Sequence, residues 1–294
     1  MPACRFIALI AIASINGHAA DPEAGFVRDA AKVRLQSPFI AEASGVAASV
    51  SRKDMLWFIN DSGGTAEIHA AGSDGTSRGK TLIQGARNLD WEDLASFKLG
   101  GKPYLLIADT GDNTNKRPDA TLYVVPEPSP GALSVAPAWT LRFRYEDGPR
   151  DCESVAVDEK AAKVILISKR TRPPVLYELP LRPPSSDVQI ARKIGTIARP
   201  LPKGRSLNPF GRQPTGFDIS PDGSLAAVVT YCGAFLFPRK PGESWDTAFS
   251  RDPVLLPGHN LSQAEAIAFD RDATALHVVS EGARPPLVTY RKSP

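Results

Sequence analysis

The stretch WEDLASFKLGGKPYLLIAD, residues 91–109, decides the fold. It holds an apolar run, a Gly-Gly turn and a second apolar run that ends in an acid, which is typical of a β-hairpin. Four further copies, at intervals of 48 to 62 residues, begin ASGVAAS, CESVAVD, PTGFDIS and AEAIAFD. The centre of the first run and the last apolar residue of the second are 13, 13, 12, 12 and 12 residues apart. Such a repeat of short strands indicates a β-propeller.

Each repeat divides into four strands, except that the last has no segment for a fourth. The N-terminal segment AKVRLQS (Ala31–Ser37) stands at the matching distance from the next repeat, and we expect it to complete the last blade. Such closure removes exposed sheet edges. The sequence therefore predicts one all-β propeller domain over residues 21–294, with five blades. A ring of six blades is the alternative and requires one more repeat.

Residues 1–20 have the pattern of a signal peptide, with Arg5, the apolar run Phe6–Ile15 and small residues at Ala19 and Ala20. Ten apolar residues are too few to span a bilayer, and no later run reaches 18. We therefore expect a monomeric periplasmic or secreted protein without a membrane span. The net charge is only +3, and no basic tract alternates with aromatic residues, which disfavours binding to nucleic acid.

Export would leave two cysteines, Cys152 and Cys232, in an oxidising compartment. The repeat places both at the same end of neighbouring blades, since one precedes a first strand and the other follows a second strand. This predicts a disulfide, and two unpaired thiols are the alternative.

The repeat also predicts which polar residues meet at one mouth of the channel. In a propeller the first strand of a blade begins where the second strand ends. The first strands bring two sets of residues to this mouth: Ser44, Glu92, Glu153, Thr215 and Glu265, and, two positions earlier, Glu42, Asp90, Asp151, Gln213 and Gln263. The second strands end in Asn60-Asp61, Ala108-Asp109, Ser168-Lys169, Thr230-Tyr231 and Ser280-Glu281.

So many carboxylates at one mouth require a cation, basic partners or shared protons, because like charges a few ångströms apart repel by roughly 1–4 kcal/mol. Hard oxygen ligands favour Ca²⁺ or Mg²⁺. We predict a Ca²⁺ site with the ligands Glu92, Asp109, Asp112, Glu153 and Glu265. The alternative is that these acids cap turns and form ion pairs with Arg87, Arg150, Lys169 or Arg170.

Basic residues are expected at the same mouth, where they would bind an anionic ligand. The predicted ligand-binding residues are Lys169, Arg170, Arg205, Arg212 and Arg284. Arg205 and Arg212 belong to a long connection rich in proline and glycine, which could act as a lid. A solvated surface loop is the alternative for this connection.

Three segment pairs resemble those of exported bacterial β-propellers of the phytase-like and gluconolactonase-like group: EASGVAAS with LWFINDSGG, NLDWEDLA with YLLIADTGDN, and AEAIAF with LHVVSEG. The resemblance extends over most of the chain after residue 20. It implies a divalent cation in the channel mouth and hydrolysis of phosphate or carboxylic esters, as in several members of the group. Those members usually have six blades.

Three functions are compatible with these features. The first is a metal-assisted hydrolase of an anionic phosphate or carboxyl ester, with Asp61 or Glu281 as the general base. The second is a non-catalytic module that binds a small anionic ligand or a periplasmic or extracellular partner. The third is a sugar-acid lactonase that uses the same metal without the basic residues. Fold alone does not decide among them.

Overall fold

Short β-strands form nearly all the regular structure, as the repeated apolar runs predict. The computed structural model describes residues 25–199, 201 and 210–293. The strands up to residue 109 are β1 (Phe26–Arg28), β2 (Val33–Arg34), β3 (Ala43–Ala48), β4 (Met55–Asn60), β5 (Glu67–Gly72), β6 (Ser77–Ile83), β7 (Trp91–Leu99) and β8 (Lys102–Asp109).

The remaining elements follow in chain order. Those between residues 120 and 196 are β9 (Ala120–Pro126), β10 (Ser134–Val135), β11 (Trp139–Tyr145), β12 (Val155–Asp158), β13 (Lys163–Ile167), β14 (Val175–Pro180) and β15 (Gln189–Thr196). Those after residue 213 are β16 (Pro214–Ile219), β17 (Leu225–Thr230), β18 (Gly233–Pro238), the helix α1 (Trp245–Phe249), β19 (Val254–Leu255), β20 (Ala264–Phe269), β21 (Ala275–Ser280) and β22 (Pro286–Lys292).

Within the described ranges, the strands form five antiparallel sets that follow the sequence repeats. The first four sets are β3-β4-β5-β6, β7-β8-β9-β11, β12-β13-β14-β15 and β16-β17-β18-β19, and the fifth is β20-β21-β22. Strand β10 adds to the first set in parallel with β6. Strand β11 also pairs in parallel with β15, so the second and third sets share one eight-stranded sheet.

The N-terminal segment completes the fifth set, as the sequence predicts. Strand β2 pairs antiparallel with β22, with Val33 opposite Leu287. The paired stretch is shorter than the predicted one, and β1 extends it, with Phe26 opposite Lys292. The two ends of the described chain therefore close the same sheet, which protects its outer edge.

The five sets follow one another in a closed cycle. Each first strand contacts the first strands of its two neighbours, in the order β3, β7, β12, β16, β20 and again β3. An apolar cluster fills each of the five spaces between neighbouring sets. Trp57 and Trp91 are both fully buried, and burial of one such side chain stabilises the fold by about 2–3 kcal/mol. The arrangement is nearly all-β and propeller-like.

No helix within the described residues has the length and the apolar character needed to cross a membrane. The predicted signal peptide, residues 1–20, lies outside the described residues.

Candidate functional site

A β-bulge recurs at the start of the first strands. In β3, β7, β16 and β20 the register to the following strand shifts by one residue. The residues passed over by this shift are Ser44, Glu92, Thr215 and Glu265. In the third set, the corresponding residue, Glu153, lies two positions before β12. A β-bulge changes the direction of a side chain, and bulges are common beside functional sites. The polar position that recurs in the sequence is therefore the bulge position of these first strands.

Two of the bulge residues connect neighbouring sets and are not part of the acidic site. The Ser44 hydroxyl donates a hydrogen bond to the Trp91 carbonyl at 2.7 Å. The Thr215 hydroxyl donates to the Ala264 carbonyl at 2.6 Å. Both carbonyls belong to the first strand of the next set. A hydroxyl at the bulge therefore fastens two sets together, whereas glutamate at the equivalent place is available for other chemistry.

The glutamates meet aspartates from neighbouring segments. Two groups of three carboxylates each have one oxygen per residue within 4.8 Å of the others. We call these groups the first triad, Asp61, Asp90 and Glu92, and the second triad, Glu92, Asp151 and Glu153. We refer to the two triads, with the nearby Glu265 and Glu281, as the acidic mouth. This convergence of first-strand starts and second-strand ends is the one that the repeat predicts.

Burial and repulsion from neighbouring acids favour the protonated forms of Asp90, Glu92, Glu153 and Glu265. Burial, with help from Glu153 and Asp61, raises the pKa of Glu92 well above its ordinary value. Burial and Asp61 raise the pKa of Asp90 to about 6. Burial also raises the pKa of Glu153 to about 7, although Lys169 opposes the shift, and that of Glu265 to about 9. Protons thus stabilise the metal-free mouth, and a bound cation would take their place.

Two predicted ligand-binding residues, Lys169 and Arg170, are engaged with the second triad. The Lys169 ammonium contacts Glu153 Oε1 and lies 5.8 Å from the centre of the Tyr231 ring. The Arg170 guanidinium donates to Asp151 Oδ2 at 2.6 Å. The ion-pair alternative from the sequence therefore holds for these two cations, and neither is free to hold an anion.

Asp109 and Asp112, two of the predicted metal ligands, lie outside both triads. Arg117 forms an ion pair with Asp109 at 2.8 Å, and its backbone N–H donates to Asp112 Oδ2 at 2.8 Å. The Arg117 side chain also donates to the Gly111 carbonyl at 2.8 Å. The turn after β8 is thus folded around an arginine, and the structure does not bring Asp109 and Asp112 together with the predicted ligands of the triads.

The predicted general bases lie at the acidic mouth. Asp61 belongs to the first triad, and the Asn88 side-chain amide donates to its carbonyl at 2.7 Å. Glu281 accepts a hydrogen bond from the Gln263 amide at 2.8 Å. Burial, Asp61 and Glu42 raise the pKa of Glu281. Of the remaining predicted residues, Glu265 lies close enough to Glu153 and Lys169 for their charges to affect it.

The other predicted basic residues are not part of the acidic mouth as described. Arg212 and Arg284 are exposed, and the Arg284 carbonyl accepts a hydrogen bond from Arg34. Arg205 lies outside the described residues.

Cys152 and Cys232 are free thiols, so the predicted disulfide is wrong. Cys152 is buried in the apolar cluster between the second and third sets, and its sulfur lies 3.4 Å from the Ile167 carbonyl. Burial raises the pKa of its thiol to about 12. Cys232 instead lies in the turn between β17 and β18. The repeat positions of Cys152 and Cys232 are at the same end of the blades, but a repeat position does not reveal that Cys152 points into the core.

Three important residues were not assigned a role from sequence. Asp90 and Asp151 were placed at the mouth but not among the metal ligands, although their two-residue spacing from Glu92 and Glu153 was a usable signal. Asp93 is fully buried, and its carboxylate accepts hydrogen bonds from the backbone of Leu94, Val155 and Phe217 at 2.8, 2.8 and 3.2 Å. It therefore connects the second, third and fourth sets.

No protein-family model and no curated protein sequence matches the chain. Among solved structures, a gluconolactonase from Xanthomonas campestris is similar over 85% of this chain and 71% of its own, with 12% identity and a TM-score of 0.48. A luciferin-regenerating enzyme is similar over 89% of this chain and 95% of its own, with 11% identity and a TM-score of 0.46. At these values neither likeness bears on activity, and function must be inferred from the site itself.

Proposed function

We propose that this protein binds a divalent cation of the Ca²⁺ class at the acidic mouth and hydrolyses a carboxylic ester there, lactones included. The surroundings of Glu92 are the observation that carries the proposal. Its carboxylate belongs to both triads and is only 5% exposed. No hydrogen-bond donor from the described residues reaches it. A buried carboxylate surrounded by acids and without a donor fits a hard divalent cation, which prefers carboxylate oxygens.

The chain's own residues divide the remaining tasks. A divalent ion, when bound, polarises an ester carbonyl and lowers the pKa of a water molecule. Glu281 would then accept the proton of the attacking water, since its raised pKa brings it closer to neutral pH. The hydrogen bond from Gln263 fixes the orientation of its carboxylate. Asp61, the other predicted base, lies within the first triad and would be a ligand.

The charges at the mouth favour a neutral substrate over a phosphate monoester. Lys169 and Arg170 are already paired with Glu153 and Asp151, so they offer no free positive charge to an anion. Carboxylates outnumber these cations. Among the three functions compatible with the sequence, this supports the hydrolysis of neutral esters and lactones.

We also infer that each of the five strand sets is one blade of a single ring. The closed cycle of first-strand contacts and the five inter-set apolar clusters support this assignment. Export to the periplasm or beyond is likewise proposed, on the strength of residues 1–20 in the sequence.

The first test is a thermal melt in EDTA and after calcium is restored. A ligand that binds the native state raises the melting temperature, by an amount equivalent to about 2.7 kcal/mol at a hundredfold excess over Kd. Glu92→Gln should abolish this shift. The control Glu67→Gln, which removes only a surface ion pair with Lys80, should keep it. Absence of a calcium shift in the unmodified protein would refute the metal site.

The second test is turnover of a panel of esters by the calcium-loaded protein. We expect hydrolysis of neutral carboxylic esters or lactones, and a rate at least tenfold lower in Glu281→Gln. Turnover of phosphate monoesters alone would overturn the assigned substrate class. Calcium binding without any turnover would favour the non-catalytic binding module instead.

A further inference from the structure

The two triads share Glu92 but differ in their hydrogen-bond donors. In the second triad, Asp151 accepts from the Arg170 guanidinium at 2.6 Å and from the Asp112 backbone N–H at 3.0 Å. Glu153 is in contact with the Lys169 ammonium. Two protein cations therefore already compensate the charges of this group.

The first triad has no such compensation. Within the described part of the chain, no lysine or arginine forms an ion pair with Asp61, Asp90 or Glu92. The Asn88 amide donates to the carbonyls of Asn60 and Asp61 at 3.1 and 2.7 Å, which holds the end of β4 against the segment that precedes β7. The first triad is thus a positioned group of oxygens without a cation.

Gly111 lets the backbone after β8 lie directly against this triad. A methyl group on its Cα would overlap the carboxylates of Glu92 and Asp90. The backbone of Gly111 has no left-handed φ angle that would require glycine, so lack of room is the reason that a side chain is excluded. The absence of a side chain at this position lets Glu92 and Asp90 come together, and the buried Glu92, which accepts no hydrogen bond from the described residues, points to a ligand at the first triad.

Lys169 acts at the second triad as a cation supplied by the chain. Its side chain is 9% exposed and its ammonium faces Glu153 and the ring of Tyr231. The other oxygen of Glu153, Oε2, is buried and has no hydrogen-bond partner among the described residues. Removal of the ammonium would leave Glu153 with both oxygens available to a metal ion.

We infer that the mouth binds one divalent ion, in the first triad, and that Lys169 excludes a second ion from the second triad. This rests on the proposed function only in that a divalent cation must bind. Without Lys169, Arg170 would be the one cation of the described residues that is paired with the second triad, which would then have room and charge for a divalent ion.

The test is a count of bound calcium by isothermal titration, checked by atomic absorption after gel filtration. The unmodified protein should bind one ion, and Lys169→Met should bind two. Lys169→Arg, which keeps the charge, should bind one. Lys163→Met, which breaks a more exposed Lys–Glu pair at the start of β13, the strand that precedes Lys169, should also bind one. If Lys169→Met folds only with calcium, it is refolded in calcium before the count.

Two further variants distinguish the triads. Asp90→Asn should weaken binding of the single ion by at least a hundredfold, whereas Glu153→Gln should change its Kd less than fivefold. Two ions in the unmodified protein, one ion in folded Lys169→Met, or a larger loss in Glu153→Gln than in Asp90→Asn would overturn the inference. Binding of no ion to the unmodified protein would instead refute the proposed function, and with it the assignment of a metal to the first triad.

Discussion

Glu92 and Asp93 are adjacent in β7 and both are buried, yet they belong to two different regions. Glu92 lies in the acidic mouth, where other carboxylates surround it. Asp93 lies among the first strands, where three backbone N–H groups donate to it. Burial raises the pKa of both carboxyl groups. The pKa direction therefore does not distinguish a functional acid from a structural one, but the hydrogen-bond donors do.

Other structural acids follow the pattern of Asp93. Asp218 accepts hydrogen bonds from the backbone of Ile219 and Phe269, both at 2.8 Å, and so links the fourth and fifth sets. Asp158 accepts from Arg239 at 2.8 Å and from the Trp245 indole at 2.9 Å, which links the third and fourth sets. Carboxylates that hold the ring together thus have donors from neighbouring sets within the chain, whereas Glu92 in the first triad accepts no hydrogen bond from the described residues.

The largest expected effect is the loss of stability in Asp93→Ala. The change leaves up to three buried N–H groups without an acceptor, and each such group costs about 1–3 kcal/mol. We expect the free energy of unfolding, measured in urea, to fall by about 4 kcal/mol or more. Asp93→Asn keeps an acceptor oxygen and should lose about 2 kcal/mol or less. A loss below 1 kcal/mol in Asp93→Ala would contradict the structural role of Asp93.

In EDTA, Glu92→Gln should raise the free energy of unfolding, whereas Asp93→Ala lowers it. Replacement of one carboxylate by a neutral amide removes repulsion from Asp90, Asp61 and Glu153. Like charges at such distances repel by roughly 1–4 kcal/mol. We expect the variant to be more stable than the unmodified protein by about 1–2 kcal/mol above pH 8, measured by urea unfolding. A destabilised Glu92→Gln would place Glu92 with the structural acids.

The strand pattern could be predicted from sequence because one hairpin unit repeats, and the closing N-terminal strand because the last repeat lacks one. Glu92 and Glu153 could be placed at the mouth for the same reason. The partners of Asp109 and Asp112 could not be predicted, because these contacts depend on how the turn folds around Arg117. Likewise, a repeat position does not reveal whether a side chain points to the channel or to the neighbouring set. Ser44 and Glu92 hold the same repeat position, yet Ser44 bonds to the next set and Glu92 lies in the acidic mouth.

The pH dependence of stability should differ between the metal-free and the calcium-loaded protein. Asp90, Glu153 and Glu265 have pKa values raised to about 6, 7 and 9. Raised carboxyl pKa values mean that the folded protein binds more protons than the unfolded chain. Stability is therefore lost as pH rises from the ordinary carboxyl value, near 4, through these folded-state values.

Two buried histidines set the lower limit of the pH range in which the effect of the carboxyl groups on stability can be measured. Burial lowers the pKa of His69 and His277 to about 4, so their contribution to stability is lost as pH falls below 6.5. Urea unfolding between pH 6.5 and 8 isolates the carboxyl groups, because this range also stays below 9.0, the ordinary thiol pKa, above which the buried Cys152 would lower stability. In EDTA we expect a decline of about 1–3 kcal/mol over this range, and with saturating calcium a smaller one. The same slope with and without calcium would contradict a metal site among these acids.

The smallest expected effect is that of Gly111→Ala, which alters the mouth without a change in charge. The added methyl group would displace the carboxylates of Glu92 and Asp90, whereas Asp93 and its donors lie elsewhere. We expect about tenfold weaker calcium binding by titration, equal to about 1.4 kcal/mol, and little change in the urea midpoint in EDTA. Gly64→Ala is the matched control, because its methyl group would only touch Asn88, at 4.0 Å. Equal calcium affinity in the two variants would mean that the ion does not bind beside Gly111. A large loss of stability in EDTA would show instead that Gly111 serves the fold, in the way that Asp93 does.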